Sequence, residues 1–305
     1  MKTGKRDVLV SEVGPRDGLQ GIQSIMPTAD KMAWISAAAA AGMAEIEVGS
    51  FVPARALPQL ADTAALVAHA RAIPGLNVAV MVPDLPGAQA ALLAGAHKIT
   101  IPLSVSETHS LRNLRRTHAQ VLDEVRAISA LVHALPAADR PRLEGGLSTA
   151  FGCTLEGVVP ERRVAELAVA LMEAGCDEVG LSDTAGTANP SQVRRLVKAV
   201  WAEIGRDQLS AIHLRDTRGL GLANVVAALD VGLTTFDSAL AGLGGGNLVT
   251  EDLVFMLEAM GLRTGVDLDA LFRLRALLAR ALPGEPLHGM TPQAGLPLGF
   301  VPATP

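Results

Sequence analysis

Val8-Leu9-Val10-Ser11-Glu12-Val13-Gly14-Pro15-Arg16-Asp17-Gly18-Leu19-Gln20-Gly21 is the stretch from which the fold can be read. Its apolar half is rich in Val and Leu and reads as a buried strand. Gly14, Pro15 and Gly18 stop that strand in a polar turn. The turn sets Arg16 beside Asp17, a fixed cation next to a hard oxygen ligand. Such a pair suits a carboxylate, a carbonyl or a metal ion. A structural ion pair capping a strand is the other reading, and this segment alone leaves both open.

The same strand-then-turn unit recurs along the chain. Strand-like runs are expected near 8–13, 44–48, 77–81, 97–101, 143–148, 177–181, 209–213 and 233–237. Segments with helical spacing lie between and after them, at 28–41, 58–72, 85–94, 110–134, 161–174, 190–204, 219–231 and 249–260. Ala-Gly pairs at 41–42, 94–95 and 174–175 close three of these helices, where a left-handed residue is expected. Eight strand–helix pairs in about 250 residues is the count of an α/β (β/α)8 TIM barrel. A doubly wound open sheet is the rival. Gly219-Leu220-Gly221-Leu222-Ala223-Asn224 and Gly242-Leu243-Gly244-Gly245-Gly246-Asn247 both lack the third glycine of the dinucleotide fingerprint, so the barrel is preferred. The barrel is expected over residues 1–265. Residues 266–305 form an extension, a helix at 267–282 and then a Pro/Gly-rich tail packing on or near the barrel.

Composition narrows the function. The 305 residues carry a net charge of -5, which leaves no basic footprint for nucleic acid. No apolar stretch reaches membrane-spanning length, and the first residues do not read as a secretory signal. Cys153 and Cys176 are too few for a disulfide framework, so a reducing cytoplasm is the expected setting.

In a barrel, the carboxyl ends of the strands face one site. Those ends deliver Arg16 and Asp17, then Glu47 and Ser50, Ser148, Asp183 with Thr184, and His213-Leu214-Arg215-Asp216. The last strand leads into Gly242–Asn247. Singly, Asp183 reads as well as a helix cap, and His213 as a core histidine. Like charges gathered at one mouth are costly without a ligand, a metal or mutual pairing, so their convergence points to a catalytic site.

Several motifs, in order over about residues 7 to 262, resemble the hydroxymethylglutaryl-CoA lyase family of metal-dependent barrel lyases. They are Glu12-Val13-Gly14-Pro15-Arg16-Asp17-Gly18-Leu19-Gln20, Ile46-Glu47 with Ser50-Phe51-Val52, Gly152-Cys153, Ser182-Asp183-Thr184-Ala185-Gly186, His213 with Asp216-Thr217, and Ala241–Gly245 followed by Asn247–Val254. The resemblance implies a carbon–carbon lyase that cleaves 3-hydroxy-3-methylglutaryl-CoA to acetyl-CoA and acetoacetate. It implies a divalent cation, Mg²⁺ or Mn²⁺, on Asp17, His213 and Asn247. It gives Arg16 the leaving enolate, with Asp17, Glu47, Asp183 and His213 completing the catalytic set. Gln20, Ser50, Ser148 and Arg215 fall to the substrate. The implied partner is an acyl-CoA, and a homodimer is compatible with the resemblance.

The chain departs from the family pattern twice. Arg215 stands where a His-x-His pair has its second ligand, and a guanidinium cannot ligate a cation. A unit positive charge ~4 Å from a divalent ion costs ~8 kcal/mol at an effective dielectric near 20, unless neighbouring acids offset it. The family's cysteine-bearing loop after strand 8 is also missing, since Gly244-Gly245-Gly246-Asn247 runs straight through. These departures keep two alternatives in view. One is a lyase or aldolase on another 3-hydroxyacyl-CoA or hydroxy acid with little metal dependence. The other is an inactive acyl-CoA-binding barrel.

Overall fold

The strands of the computed structural model, which describes residues 6–303, are β1 (Leu9–Glu12), β2 (Glu45–Ser50), β3 (Asn77–Met81), β4 (Lys98–Ser104), β5 (Arg142–Ser148), β6 (Glu178–Ser182), β7 (Leu209–His213) and β8 (Thr235–Ser238). They follow one another as neighbours, β1 to β8, in a closed parallel barrel. This is the (β/α)8 class that the alternation of strands and helices predicts. The helices are α1 (Thr28–Ala40), α2 (Thr63–Arg71), α3 (Leu85–Ala94), α4 (Glu107–Asn113), α5 (His118–His133), α6 (Glu161–Glu173), α7 (Pro190–Ile204), α8 (Gly221–Val231), α9 (Thr250–Ala259), α10 (Leu268–Ala281) and α11 (Thr291–Ala294). Among the described residues, no helix is long and apolar enough to cross a membrane.

The chain divides into two compact units. One takes the residues up to Val78 together with those from Thr234 onward, and the other runs from Ala79 to Leu233. In the first, β1 pairs in parallel with β2 (Ser11 opposite Glu45) and with β8 (Glu12 opposite Ser238). Every residue of β2 is buried, as expected of a parallel strand covered on both faces. After α9 the chain returns to the end of α1, where Asp267 N donates to Ala41 O at 2.7 Å. The segment after α10 docks on the same unit. His288 N donates to Ala241 O at 2.8 Å, and the amides of Met290 and Thr291 donate to the Asp252 carboxylate.

In the second unit, β4 and β5 pair over seven residues, from Lys98 opposite Arg142 to Ser104 opposite Ser148. The register therefore brings two serine hydroxyls side by side at the strand ends. Helix starts follow their capping chemistry. Asp84 accepts from Gly87 N at 3.0 Å, and Asn189 accepts from Gln192 N at 3.0 Å.

Two helices differ from the sequence expectation. The helix expected over 58–72 begins only at Thr63. The buried Lys31 ammonium takes the carbonyl of Gln59 at 2.5 Å and the carboxylate of Asp62 at 2.7 Å, which leaves Pro58–Leu60 as a single tight turn. The helix expected over 110–134 is two, broken at residues 114–117. There Arg115 adopts φ 57°, and Ser110 Oγ donates to Arg116 O at 2.7 Å. Thr117 and Gln120 then form a capping box that starts α5 afresh.

Candidate active site

In the first unit the site is built on the turn that ends β1. Gly14–Gly18 coils into one wide five-residue turn, with the amides of Arg16, Asp17 and Gly18 all bonded to Val13 O. Gly14 is required here. A Cβ at this position would lie 2.4 Å from Glu12 Oε1 and 2.6 Å from the ring of the fully buried Trp34. Its absence lets the Glu12 carboxylate reach the Gly14 amide at 2.9 Å. Glu12 also accepts from Leu240 N at 2.9 Å and from Thr250 Oγ1 at 2.7 Å. One buried carboxylate thus ties the turn carrying Arg16 and Asp17 to the segment leading to Asn247. Burial pushes the Glu12 pKa up to about 7 against the pull of these three donors.

Arg16 is 7% exposed. Its Nε donates to Glu47 Oε2 at 2.5 Å, and its Nη1 to Asp17 Oδ1 at 2.8 Å. Burial alone would lower the Arg16 pKa, but Glu47 and Asp17 outweigh it, and the net direction is upward. Burial raises Glu47 to about 7, with Arg16 opposing and Asp237 and Asp17 adding to the rise. A carboxyl group near neutrality can both take and return a proton.

Asn247 completes this cluster. Its Nδ2 donates to Asp17 Oδ2 at 3.0 Å and to Leu243 O at 2.9 Å. Its Oδ1 is buried and has no hydrogen-bond partner among the described residues. A buried amide oxygen without a donor is costly, and a hard cation or a substrate hydroxyl would satisfy it. Ser50 Oγ is likewise buried without a partner among the described residues. Gln20 is half-buried just beyond the turn.

In the second unit, Asp183 is fully buried after β6. Its carboxylate accepts from the amides of Thr187 at 2.9 Å and Ala188 at 3.1 Å, and its own amide donates to His213 O at 2.8 Å. Burial raises its pKa, while those amides and then His213 and Arg215 pull it down. The capping geometry and the perturbed carboxyl group therefore belong to one residue. His213 is buried at the end of β7, and Arg215 is half-buried two residues on. Asp216 is exposed and caps α8 through Gly221 N at 2.7 Å. Ser148 shares a hydrogen bond of 2.9 Å with Ser104. Among the described residues, no group of three or more His, Cys, Asp or Glu side chains forms a metal cluster.

Of the sequence candidates, Arg16, Asp17, Glu47 and Asn247 are in direct contact, and Asp183 lies with His213 and Arg215. Glu12 went unselected in the sequence, although it sits in the quoted motif. Its position as the last residue of a buried strand was the available signal.

The chain is an eight-stranded parallel barrel with a buried Arg–carboxylate–amide cluster at its strand ends, and its relatives place it among the carbon–carbon lyases. The family described as HMGL-like matches residues 7–278, and the chain belongs to that family. It is 37% identical over 283 residues to the mitochondrial hydroxymethylglutaryl-CoA lyase of Gallus gallus, covering 90% of this chain and 93% of that protein. Against the hydroxymethylglutaryl-CoA lyase YngG of Bacillus subtilis it is 36% identical over 290 residues, covering 92% and 95%. A solved HMG-CoA lyase from Acinetobacter baumannii, in complex with coenzyme A and 3-methylmalate, superposes with a TM-score of 0.90 at 38% identity. That match covers 98% of this chain and 99% of the other.

Proposed function

We propose that the chain cleaves 3-hydroxy-3-methylglutaryl-CoA to acetyl-CoA and acetoacetate. The observation that carries this reading is the buried cluster of Arg16, Asp17, Glu47 and Asn247 in a chain of this family. Retro-Claisen cleavage removes a proton from the tertiary hydroxyl and leaves charge on the enolate oxygen of the departing thioester. Arg16 is the cation for that oxygen. Its guanidinium is already oriented by two carboxylates, so little reorganisation is needed as charge develops. Glu47 and Asp183, both raised by burial, take and hold the hydroxyl proton. Gln20, Ser50, Ser148 and Arg215 bind the acyl-CoA. Ser50 supplies a buried hydroxyl still open to a partner, and Arg215 a guanidinium suited to a carboxylate.

The donors suit a hard divalent cation, because Asn247 Oδ1 is orphaned and Asp17 lies against the same amide. Asp17, Asn247 and His213 would hold Mg²⁺ or Mn²⁺. A divalent ion held there would supply a Lewis acid that lowers the pKa of the substrate hydroxyl. This set has one nitrogen fewer than the family's, since Arg215 occupies the place of the second His. Two free cysteines are consistent with a reducing cytoplasm as the working compartment, and we carry a homodimer as part of the proposal.

The test is incubation of the purified protein with 3-hydroxy-3-methylglutaryl-CoA and Mg²⁺ or Mn²⁺. Release of acetyl-CoA and acetoacetate is expected, and release of neither overturns the reading. A second reading, a related lyase in which the Arg215 cation serves in place of a metal, is favoured by Arg215 standing where the family's second His ligand would be, since a guanidinium cannot ligate a cation. Turnover that survives a chelator selects it.

A further inference from the structure

The turn that leads from β8 to Asn247 is gripped at one residue by a closed ring of hydrogen bonds, all of them within the first unit. Glu251 Oε2 accepts from Ala241 N at 2.9 Å, and Glu251 Oε1 accepts from Arg275 Nη1 at 2.5 Å. The same Nη1 donates to His288 O at 2.8 Å, and His288 N donates to Ala241 O at 2.8 Å. The ring runs from the amide of Ala241 through α9, α10 and the segment after α10, and returns to the carbonyl of Ala241. Glu251 is fully buried, and the Arg275 side chain is 15% exposed. Burial raises the Glu251 pKa, while Arg275 and then the Ala241 amide pull it down.

Ala241 needs such a grip. Its φ is 57°, in the left-handed region that a Cβ disfavours. Gly242, Gly244, Gly245 and Gly246 also have positive φ, and there glycine meets the need at no steric cost. Ala241 carries a side chain in the same conformation, and that side chain is fully buried. A residue with a Cβ stays in this conformation when its surroundings over-determine it. Here its amide and its carbonyl are both fixed from outside the turn.

The consequence reaches the active site through Asn247. Leu243 O, two residues after Ala241, accepts from Asn247 Nδ2 at 2.9 Å, and the same Nδ2 donates to Asp17 Oδ2 at 3.0 Å. These two bonds aim the buried Asn247 Oδ1, which has no partner among the described residues. If Ala241 relaxes to a negative φ, the Leu243 carbonyl turns with the chain and Asn247 loses one of its two anchors.

We propose that Arg275 is a positioning residue for the Asn247 side chain, acting through Glu251 and His288 on the strained Ala241. The kinetic consequence rests on the lyase reading, and the geometric one does not.

The experiment compares wild type, Arg275→Met, and Arg275→Met combined with Ala241→Gly. It follows kcat and KM on 3-hydroxy-3-methylglutaryl-CoA, and the side-chain amide signals of 15N-asparagine-labelled protein. The chain has five asparagines, and the Asn247 signal is assigned by its loss in Asn247→Ala. Arg275→Met is expected to lose ~10–100-fold in kcat with KM within about twofold, and to shift or broaden the Asn247 signal. Adding Ala241→Gly, which needs no grip to hold a positive φ, is expected to recover at least ~5-fold in kcat and to restore the signal. An unmoved Asn247 signal in Arg275→Met overturns the proposal. So does a loss that Ala241→Gly leaves unchanged, because Arg275 then only anchors α10. If Arg275→Met fails to fold, Arg275→Met with Glu251→Leu, which leaves no buried carboxylate unpaired, takes its place in both arms. A wild type that releases no acetyl-CoA overturns the lyase reading, and the Asn247 signal alone then decides the role of Arg275.

Discussion

Replacing Glu12 by Gln tests the idea that one buried carboxylate holds the two segments carrying Arg16, Asp17 and Asn247. Its folded pKa is about 7 against an ordinary value of 4.5, with burial the chief cause. Between those values the folded chain keeps a proton that the unfolded chain has released. The protonated carboxyl group's contribution to stability is therefore complete below pH ~4.5 and is lost as pH rises through ~7. A rise of 2.5 units, at ~1.4 kcal/mol per unit, amounts to ~3 kcal/mol, of which ~2.5 kcal/mol falls between pH 5 and pH 8. Glu12→Gln cannot titrate. Its Oε1 still accepts from the Gly14 and Leu240 amides, and the mismatch of its Nε2 against Thr250 is an offset independent of pH. Urea unfolding of wild type and variant at both pH values measures the difference directly. The stability of the variant relative to wild type should rise by ~2–3 kcal/mol from pH 5 to pH 8. A difference that stays flat within ~0.5 kcal/mol refutes the argument, because it places the folded pKa of Glu12 at its ordinary value.

Arg16→Lys cannot reproduce the paired contacts to Glu47 and Asp17, since an ammonium is a point donor. Steady-state kinetics should show kcat reduced ~10²–10³-fold with little change in KM. Arg215→His removes a cation and adds an imidazole donor, so calorimetry with Mn²⁺ should show binding tightened at least ~10-fold, or ~1.4 kcal/mol. Gly21→Ala brings a Cβ to 2.8 Å from Gly244 O, so the loop before Asn247 must shift. Its unfolding free energy should fall by ~1–3 kcal/mol, and its metal affinity should weaken in the same calorimetric assay.

The barrel was legible because parallel strands buried on both faces read as short apolar runs, and the eight observed strands lie at the eight expected runs. Helix breaks were less legible. The split at residues 114–117 depends on Ser110 reaching the Arg116 carbonyl, a contact that periodicity does not carry, although Thr117 and Gln120 were a readable capping signal. The late start of α2 depends on Lys31, some thirty positions upstream, taking the Gln59 carbonyl and the Asp62 carboxylate. The sequence marks Arg16, Asp17 and Asn247 through their motifs, and the structure places them in contact. Glu12 is less legible because its role lies in accepting amides from Gly14 and Leu240, and only its place as the last residue of a buried strand marks it in the sequence. Asp216 reads in the sequence as a site acid, but its carboxylate accepts from Gly221 N at the start of α8.

The central claim is that this chain breaks one carbon–carbon bond with Arg16 facing the enolate. Product analysis by NMR with 13C-labelled 3-hydroxy-3-methylglutaryl-CoA, on wild type and Arg16→Ala, tests it most directly. The account predicts equal amounts of acetyl-CoA and acetoacetate from wild type and a loss of both in the variant. Intact substrate with wild type, or undiminished products from Arg16→Ala, would contradict it.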